Sequence, residues 1–185
     1  MGTDHARIQP VEGQAVPEAT GAGMPIRETG GALAPEAVAG WIRSAVDSQR
    51  AITMTVRSLV SGQHLTYRLT PQRRSAADVG VGTVVLVDLL TGPCNTTDYT
   101  LLGAVYYGRD NLEVITSPRA PSLIAADAPS ARTLCWQFGR IASGRTPAPV
   151  AEVWHDGTCA RCGCPITTPE SVSLGLGPIC AGRED

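Results

Sequence analysis

The sequence predicts an α+β protein: a small, mostly antiparallel sheet of about five strands with two flanking helices, followed by a C-terminal zinc-knuckle module of treble-clef-like closure. Three observations carry that expectation. β-Branched runs separated by turn residues fill the middle of the chain. Two stretches with apolar residues spaced by three and four lie on either side of them. Four of the six cysteines crowd between positions 159 and 180.

Residues 1–33 are rich in glycine, hold scattered charges and have no sustained apolar period, so a disordered tail is expected. Beyond Pro35, residues Val38, Trp41, Ile42, Ala45 and Val46 draw one stripe on a helix, with the proline suited to its first turn. Residues 52–59 and 64–69 alternate in character across Ser61-Gly62-Gln63, the signature of a hairpin. The continuously apolar run 83–90 reads as a central strand, residues 99–106 as another and residues 111–116 as a short fifth. Asp127-Ala128-Pro129-Ser130 supplies a helix start, Leu134, Cys135, Phe138 and Ile141 its inner side, and Gly144 its end. The expected organisation is therefore a tail over 1–33, an α+β domain over 34–146 and a zinc-binding module over 152–183.

Composition limits what such a protein can do. Apolar residues make up 43% of the 185 positions but aromatics only 4%, so the core must be aliphatic. The net charge is −2 without a strong block, so the broad electrostatic footprint of a non-specific nucleic-acid binder is missing; that the fifteen basic residues are all arginine carries little functional weight. The chain opens without a basic segment followed by an apolar one, and no run of about 18 apolar residues occurs; a cytoplasmic protein with no membrane partner is expected. Clustered cysteines in that setting point to a metal rather than to disulfides.

The clustering has a specific form, W-H-x3-C-x2-C-G…G-x-G-P-x-C. Cys159 and Cys162 form a knuckle closed by Gly163, and Cys180 returns after Gly175, Gly177 and Pro178 turn the chain. Zinc takes four tetrahedral donors in closed structural sites. His155, four residues before the knuckle, is the favoured fourth ligand. Cys164 is the alternative, separated from Cys162 by only Gly163 and expected to strain the turn if both bound one ion. Thr167 and Glu170 are spaced as a capping box for a short helix between the two halves. A segment this small needs the metal to fold. A catalytic zinc would need an open position and a carboxylate base, for which Asp156 and Glu170 are the nearest candidates, but no H-x-E precedes the cysteine pair.

Elsewhere, the loop from Gly92 to Tyr99 gathers Asn95, Asp98 and Tyr99 at the end of the central strand, either as a structural turn or as a binding or active site. Arg57, Arg68, Arg73 and Arg74 lie on or after the first hairpin, and Tyr67, Tyr99, Tyr106 and Tyr107 lie on strands; a face carrying Arg and Tyr is ordinarily a solvated one, or could stack bases and hold phosphates. Arg161 and Arg183 flank the cysteines as possible phosphate contacts.

From about residue 50 onward, the order of signatures resembles a family of uncharacterised bacterial and phage proteins. The resembling residues are Ser61-Gly62 and Thr66-Tyr67-Arg68, then Leu90-Thr91-Gly92-Pro93 with Asn95 and Asp98-Tyr99-Thr100, then Asp127-Ala128-Pro129-Ser130. The last are Trp154-His155, Cys159, Cys162-Gly163, Pro169-Glu170-Ser171, Gly175, Gly177-Pro178 and Cys180. The resemblance implies a zinc-binding C-terminal module and a mobile-element setting in which such proteins act on nucleic acid, without an established reaction. Cys94 and Cys164 depart from the family pattern, which has an acidic and a basic residue there. The expected function is thus a zinc-binding protein whose partner is nucleic acid or a protein of the nucleic-acid machinery. Two rivals stand beside it: an adaptor or inhibitor of a host protein, and a nucleotide- or nucleic-acid-processing enzyme using Asn95 and Asp98.

Overall fold

Alternation in the first two strand-forming runs produces a hairpin. β2 (Ile52–Ser58) and β3 (His64–Pro71) pair antiparallel, with Met54 opposite Tyr67 and Val56 opposite Leu65. Gly62 turns the chain between them at φ 72°, a conformation that side chains with a Cβ disfavour. β4 (Thr83–Leu90), β5 (Tyr99–Tyr107) and β6 (Leu112–Ile115) continue the antiparallel meander. Between β4 and β5 the register shifts after Val87. Leu102 is the extra residue, and it is buried.

The structure, a computed structural model, describes residues 30–72, 83–107, 112–115, 124–125, 127–142, 145–147 and 149–182. The expected tail up to residue 29, the ends of the expected 111–116 strand, the helix-ending Gly144 and Arg183 lie outside these residues. The last residues of the expected tail are structured instead: Gly31–Ala32 form a two-residue strand, β1, and Leu33 is buried behind it.

One further strand was not expected from the sequence. Residues Ala151–His155 form β7, which inserts between β1 and β2 and gives a seven-stranded sheet of order β1-β7-β2-β3-β4-β5-β6. Val153 faces Val56 and His155 faces Met54, so the segment that leads into the cysteine cassette belongs to the sheet. Its period-2 pattern is only five residues long, and Gly31-Ala32 offers no apolar pattern of its own.

Both main helices cover the same face. After a short 3-10 turn at Pro35–Ala37, α1 (Val38–Asp47) buries Val38, Trp41, Ile42, Ala45 and Val46. α2 (Pro129–Ala142) buries Ala131, Leu134, Phe138 and Ile141. These side chains join Met54, Leu69, Val85, Val87, Val105 and Val153 in one core, an aliphatic one as the composition requires. Tyr67 is fully buried there and donates its hydroxyl to the Ser130 carbonyl at 2.9 Å, fastening β3 to the start of α2. Burial pushes its phenol far up in pKa, so the group stays a donor.

Residues of opposite parity, among them Thr55, Thr66, Arg68 and Asp88, stand on the other face of the sheet, with no helix against it among the described residues. Thr55 and Thr66 share a hydrogen bond of 2.9 Å across the strands. Two short helices complete the fold, α3 (Pro169–Leu174) and α4 (Pro178–Ala181).

Candidate metal centre

The cysteine cassette starts where β7 ends. Asp156 turns the chain by accepting from Thr158 N at 3.1 Å and from the Thr158 hydroxyl at 2.7 Å. The knuckle itself is made by main-chain bonds. Gly163 N donates to the Cys159 carbonyl at 2.8 Å, and Cys159 N donates to the Cys164 carbonyl at 2.9 Å. Gly163 sits at φ 76°, which a glycine takes at little cost. A bridge between Thr158 and Pro165 closes the loop into a small hairpin.

α3 then brings the chain back. Its N-cap is Thr168, which accepts from Ser171 N, with Pro169 at the first helical position. The Thr167–Glu170 pair expected from spacing lies one residue too early, because the proline fixes the helix start behind Thr168. Gly175, at φ 69°, ends the helix, and its main-chain oxygen accepts from Ala160 N at 3.1 Å. α4 follows and carries Cys180 into contact with the knuckle.

The result is a group of three sulfurs. Cys159, Cys162 and Cys180 have their Sγ atoms within 4.8 Å of one another and could hold a metal ion. A tetrahedral ion with bonds of about 2.3 Å to sulfur needs its donors about 3.8 Å apart, a spacing this group reaches with small side-chain rotations. Cys159 and Cys180 are buried against Ile166, Val172 and Leu176, whereas Cys162 is exposed. All six cysteines of the chain are free thiols.

Electrostatics at the group favour an added cation. Burial pushes the Cys159 thiol up, but main-chain hydrogen bonds from Gly177, Cys162 and Arg161 more than reverse this and pull it down to about 7. Cys180 is pushed up to about 11, first by burial and then by its contacts with Cys162 and Cys159. Cys164 is raised too, first by its hydrogen bond to the Cys162 side chain and by the charge there. One thiolate forms easily and each further one is opposed by those already present. A bound divalent cation removes that opposition, since a coordinating thiol is deprotonated outright.

His155 does not join the three sulfurs. Its side chain is buried at the inner face of β7, 6.3 Å from the Trp41 ring between centroids. Nδ1 accepts from Gly157 N at 2.9 Å and Nε2 lies 2.9 Å from the Val172 carbonyl oxygen. A carbonyl only accepts, so Nε2 carries the proton and both nitrogens are occupied.

Two arginines lie against the knuckle. Arg161 donates to the Cys180 carbonyl at 3.2 Å. Arg50, which sequence reasoning missed, reaches across from the end of α1 to the Cys162 carbonyl at 3.4 Å and packs over Gly163. No local pattern announces a contact between residues 112 positions apart.

The Gly92–Tyr99 loop proves to be self-contained. Asp98 accepts from Cys94 N at 2.8 Å and from the Thr97 hydroxyl at 2.9 Å, and its side chain fills the space beside Gly92. That carboxylate is therefore engaged within its own turn, and Asn95 is exposed beside it. Tyr99 instead belongs to the uncovered sheet face, where the Arg68 guanidinium lies 4.1 Å from its ring centre and pairs with Asp88 at 3.2 Å.

Residues 150–185 match the model of a family of unknown function, DUF6011. The matched segment begins at the end of the linker, takes in β7 and contains all three clustered cysteines. No curated protein and no solved structure matches the chain. No helix among the described residues is long and apolar enough to cross a membrane.

Proposed function

We propose that this chain is a zinc-binding protein in which the metal is structural, holding the DUF6011 segment against the sheet, and that it works as a binding protein for nucleic acid. The observation that carries the metal half is the convergence of three thiols from a knuckle and a returning helix. Zinc is the ion that all-sulfur and sulfur-rich tetrahedral sites select in a reducing cytoplasm, where free thiols persist. Elemental analysis of the reduced protein tests this. One zinc per chain, lost with chelator together with the fold of residues 156–182, is the expected result; absence of stoichiometric metal sinks it.

The nucleic-acid half is supported by the uncovered sheet face. Arg68, stacked on Tyr99, offers a guanidinium plane to a base or a charge to a phosphate, and Trp154 lies on the same face opposite Thr55. Fluorescence anisotropy with single- and double-stranded DNA and RNA decides it. Salt-sensitive binding at micromolar concentration is expected, and none at low salt refutes it.

A second reading, an adaptor for another protein, is favoured by a different observation. Leu59 and Val60 at the hairpin tip, Val150 beside them and Trp136 on α2 are exposed, Val60 at 82%. Affinity capture with the wild type and with a Val60→Asp, Trp136→Ala double variant distinguishes it: a partner lost on that change supports the adaptor.

A further inference from the structure

We propose that Cys164 supplies the fourth ligand, making a four-thiolate site from Cys159, Cys162, Cys164 and Cys180, with His155 as a positioning residue that the metal never touches. This inference rests on the metal reading above and specifies it.

The first argument is the occupancy of the imidazole. Coordination by Nδ1 would require Gly157 N to give up its acceptor, and coordination by Nε2 would strip the Val172 carbonyl of its donor. Either change leaves a buried main-chain group without a partner, a cost that a nearby uncommitted thiol avoids.

The second argument is geometric. Cys162 and Cys164 flank Gly163, and a one-residue spacer in extended chain would put their side chains on one face but roughly 6.5–7 Å apart, too far for two donors of one ion. The left-handed glycine, at φ 76°, bends the chain instead, and the Cys164 thiol is in hydrogen-bonding contact with the Cys162 side chain. The strain that the spacing alone suggests is therefore absorbed at a residue that bears it easily. The Cys164 sulfur stands outside the group of three in this conformation, but the residue is exposed, so rotation about its Cα–Cβ bond meets little resistance in bringing the sulfur to the open side of the three.

The third argument is charge. Zinc with four thiolates carries a net charge of −2, which must be balanced where it is partly out of water. Arg50 packs over Gly163, the residue between Cys162 and Cys164, and its buried Nε has no hydrogen-bond partner. A sulfur turned toward it supplies one. Arg161 lies on the opposite side of the group, at Cys180.

Cobalt substitution of the full-length chain tests the ligand set. The sulfur-to-cobalt charge-transfer intensity counts thiolates, and the ligand-field bands report tetrahedral sulfur. The wild type is expected to show four thiolates. Cys164→Ser should lose about a quarter of the charge-transfer intensity and weaken zinc in competition with a chromophoric chelator by on the order of tenfold or more. Cys164→His should restore affinity with ligand-field bands shifted as expected for three sulfurs and one nitrogen. His155→Gln should leave the cobalt spectrum unchanged while lowering the melting temperature. An unchanged spectrum in Cys164→Ser, or a spectrum altered by His155→Gln, overturns the assignment while leaving the metal site itself intact. A wild type that takes up neither cobalt nor zinc overturns the metal reading instead.

Discussion

His155 Nε2 lies 2.9 Å from the Val172 carbonyl oxygen, so the last residue of the sheet's inserted strand is bonded to the helix that returns the chain to the cysteines. Together with the bond from Gly157 N to Nδ1, this makes the imidazole a bracket between sheet and module. Two more links run beside it, from Leu33 N to Val153 O and from Ala34 N to Ser173 O, both 2.8 Å. The segment that carries the cysteines is thus attached to the α+β core by hydrogen bonds on both sides of β7.

Removing the bracket should cost stability and leave metal stoichiometry alone. His155→Ala leaves Gly157 N and the Val172 carbonyl without partners in a site 2% exposed, and about 1–3 kcal/mol is expected for such a loss. Urea denaturation of the zinc-loaded protein measures the first and elemental analysis the second.

The same imidazole sets a pH dependence. Burial lowers the His155 pKa below its ordinary value, more than the Val172 carbonyl and Asp156 raise it. On acidification the unfolded chain therefore binds the proton first, and stability falls as pH drops from about 6.5 toward the lower folded pKa, then levels off. Above about pH 7 this contribution is constant. His155→Gln lacks it, so the stability gap between wild type and variant should narrow between pH 7.5 and 5.5 at saturating zinc. Competition of protons for the thiolates acts on both proteins alike and drops out of the difference.

Gly175 is expected to tolerate no side chain. Its φ of 69° is left-handed, and a Cβ there would meet the ring of Trp41, which is 1% exposed and fixed in the core, and also Leu33. Gly175→Ala combines backbone strain with overpacking and should destabilise by about 2 kcal/mol or more. Gly40, whose Cβ would meet nothing within 4 Å on the exposed side of α1, provides the control. Gly40→Ala should stabilise by up to about 1 kcal/mol, and parallel thermal melts compare the two.

Much of this was legible in the sequence because the signals are local. β-Branched alternation located β2 to β5, the apolar stripe located α1, and the knuckle spacing with its glycine located the sulfurs. What spacing does not carry is which neighbour a side chain faces. His155 sits at ligand distance in sequence, but pairing β7 with β2 turns it into the core beneath α1. Trp154 and His155 were informative enough as part of a cysteine cassette to hide that they end a strand. Asp98, for which the sequence offered a structural turn or a binding site, has its carboxylate bonded to two donors within its own loop, as Asp side chains in turns do. Arg50 was invisible because its partner lies 112 residues away.

Metal removal should separate the two parts of the molecule. Cys159, Ile166 and Cys180 form a small cluster apart from the main core, too little apolar surface to hold itself together. With excess chelator, amide exchange is expected to rise across residues 156–182 and to stay slow in β2 to β5, where the ladder and the helices supply the stability. Uniform acceleration through the sheet would mean that the metal supports the whole fold.

Arg68 provides the last prediction, because its folding and binding roles can be measured separately, as stability and as the salt slope of binding. Its pairing with Asp88 joins side chains that are 35% and 19% exposed, worth about 0.5–1 kcal/mol after screening by solvent. Its position over Tyr99 adds about 0.5–1 kcal/mol. Arg68→Ala should therefore lower stability by roughly 1 kcal/mol at low salt, with the ion-pair part fading as salt is added. Arg68→Lys keeps the charge for Asp88 but not the planar stack, and should recover only part of the loss. If the uncovered face takes a phosphate at this arginine, Arg68→Ala must also reduce the salt slope of binding by about one, while a variant merely loosened in fold would weaken binding without changing the slope. Measuring stability and salt slope on the same two variants tells a structural arginine from one that holds a ligand.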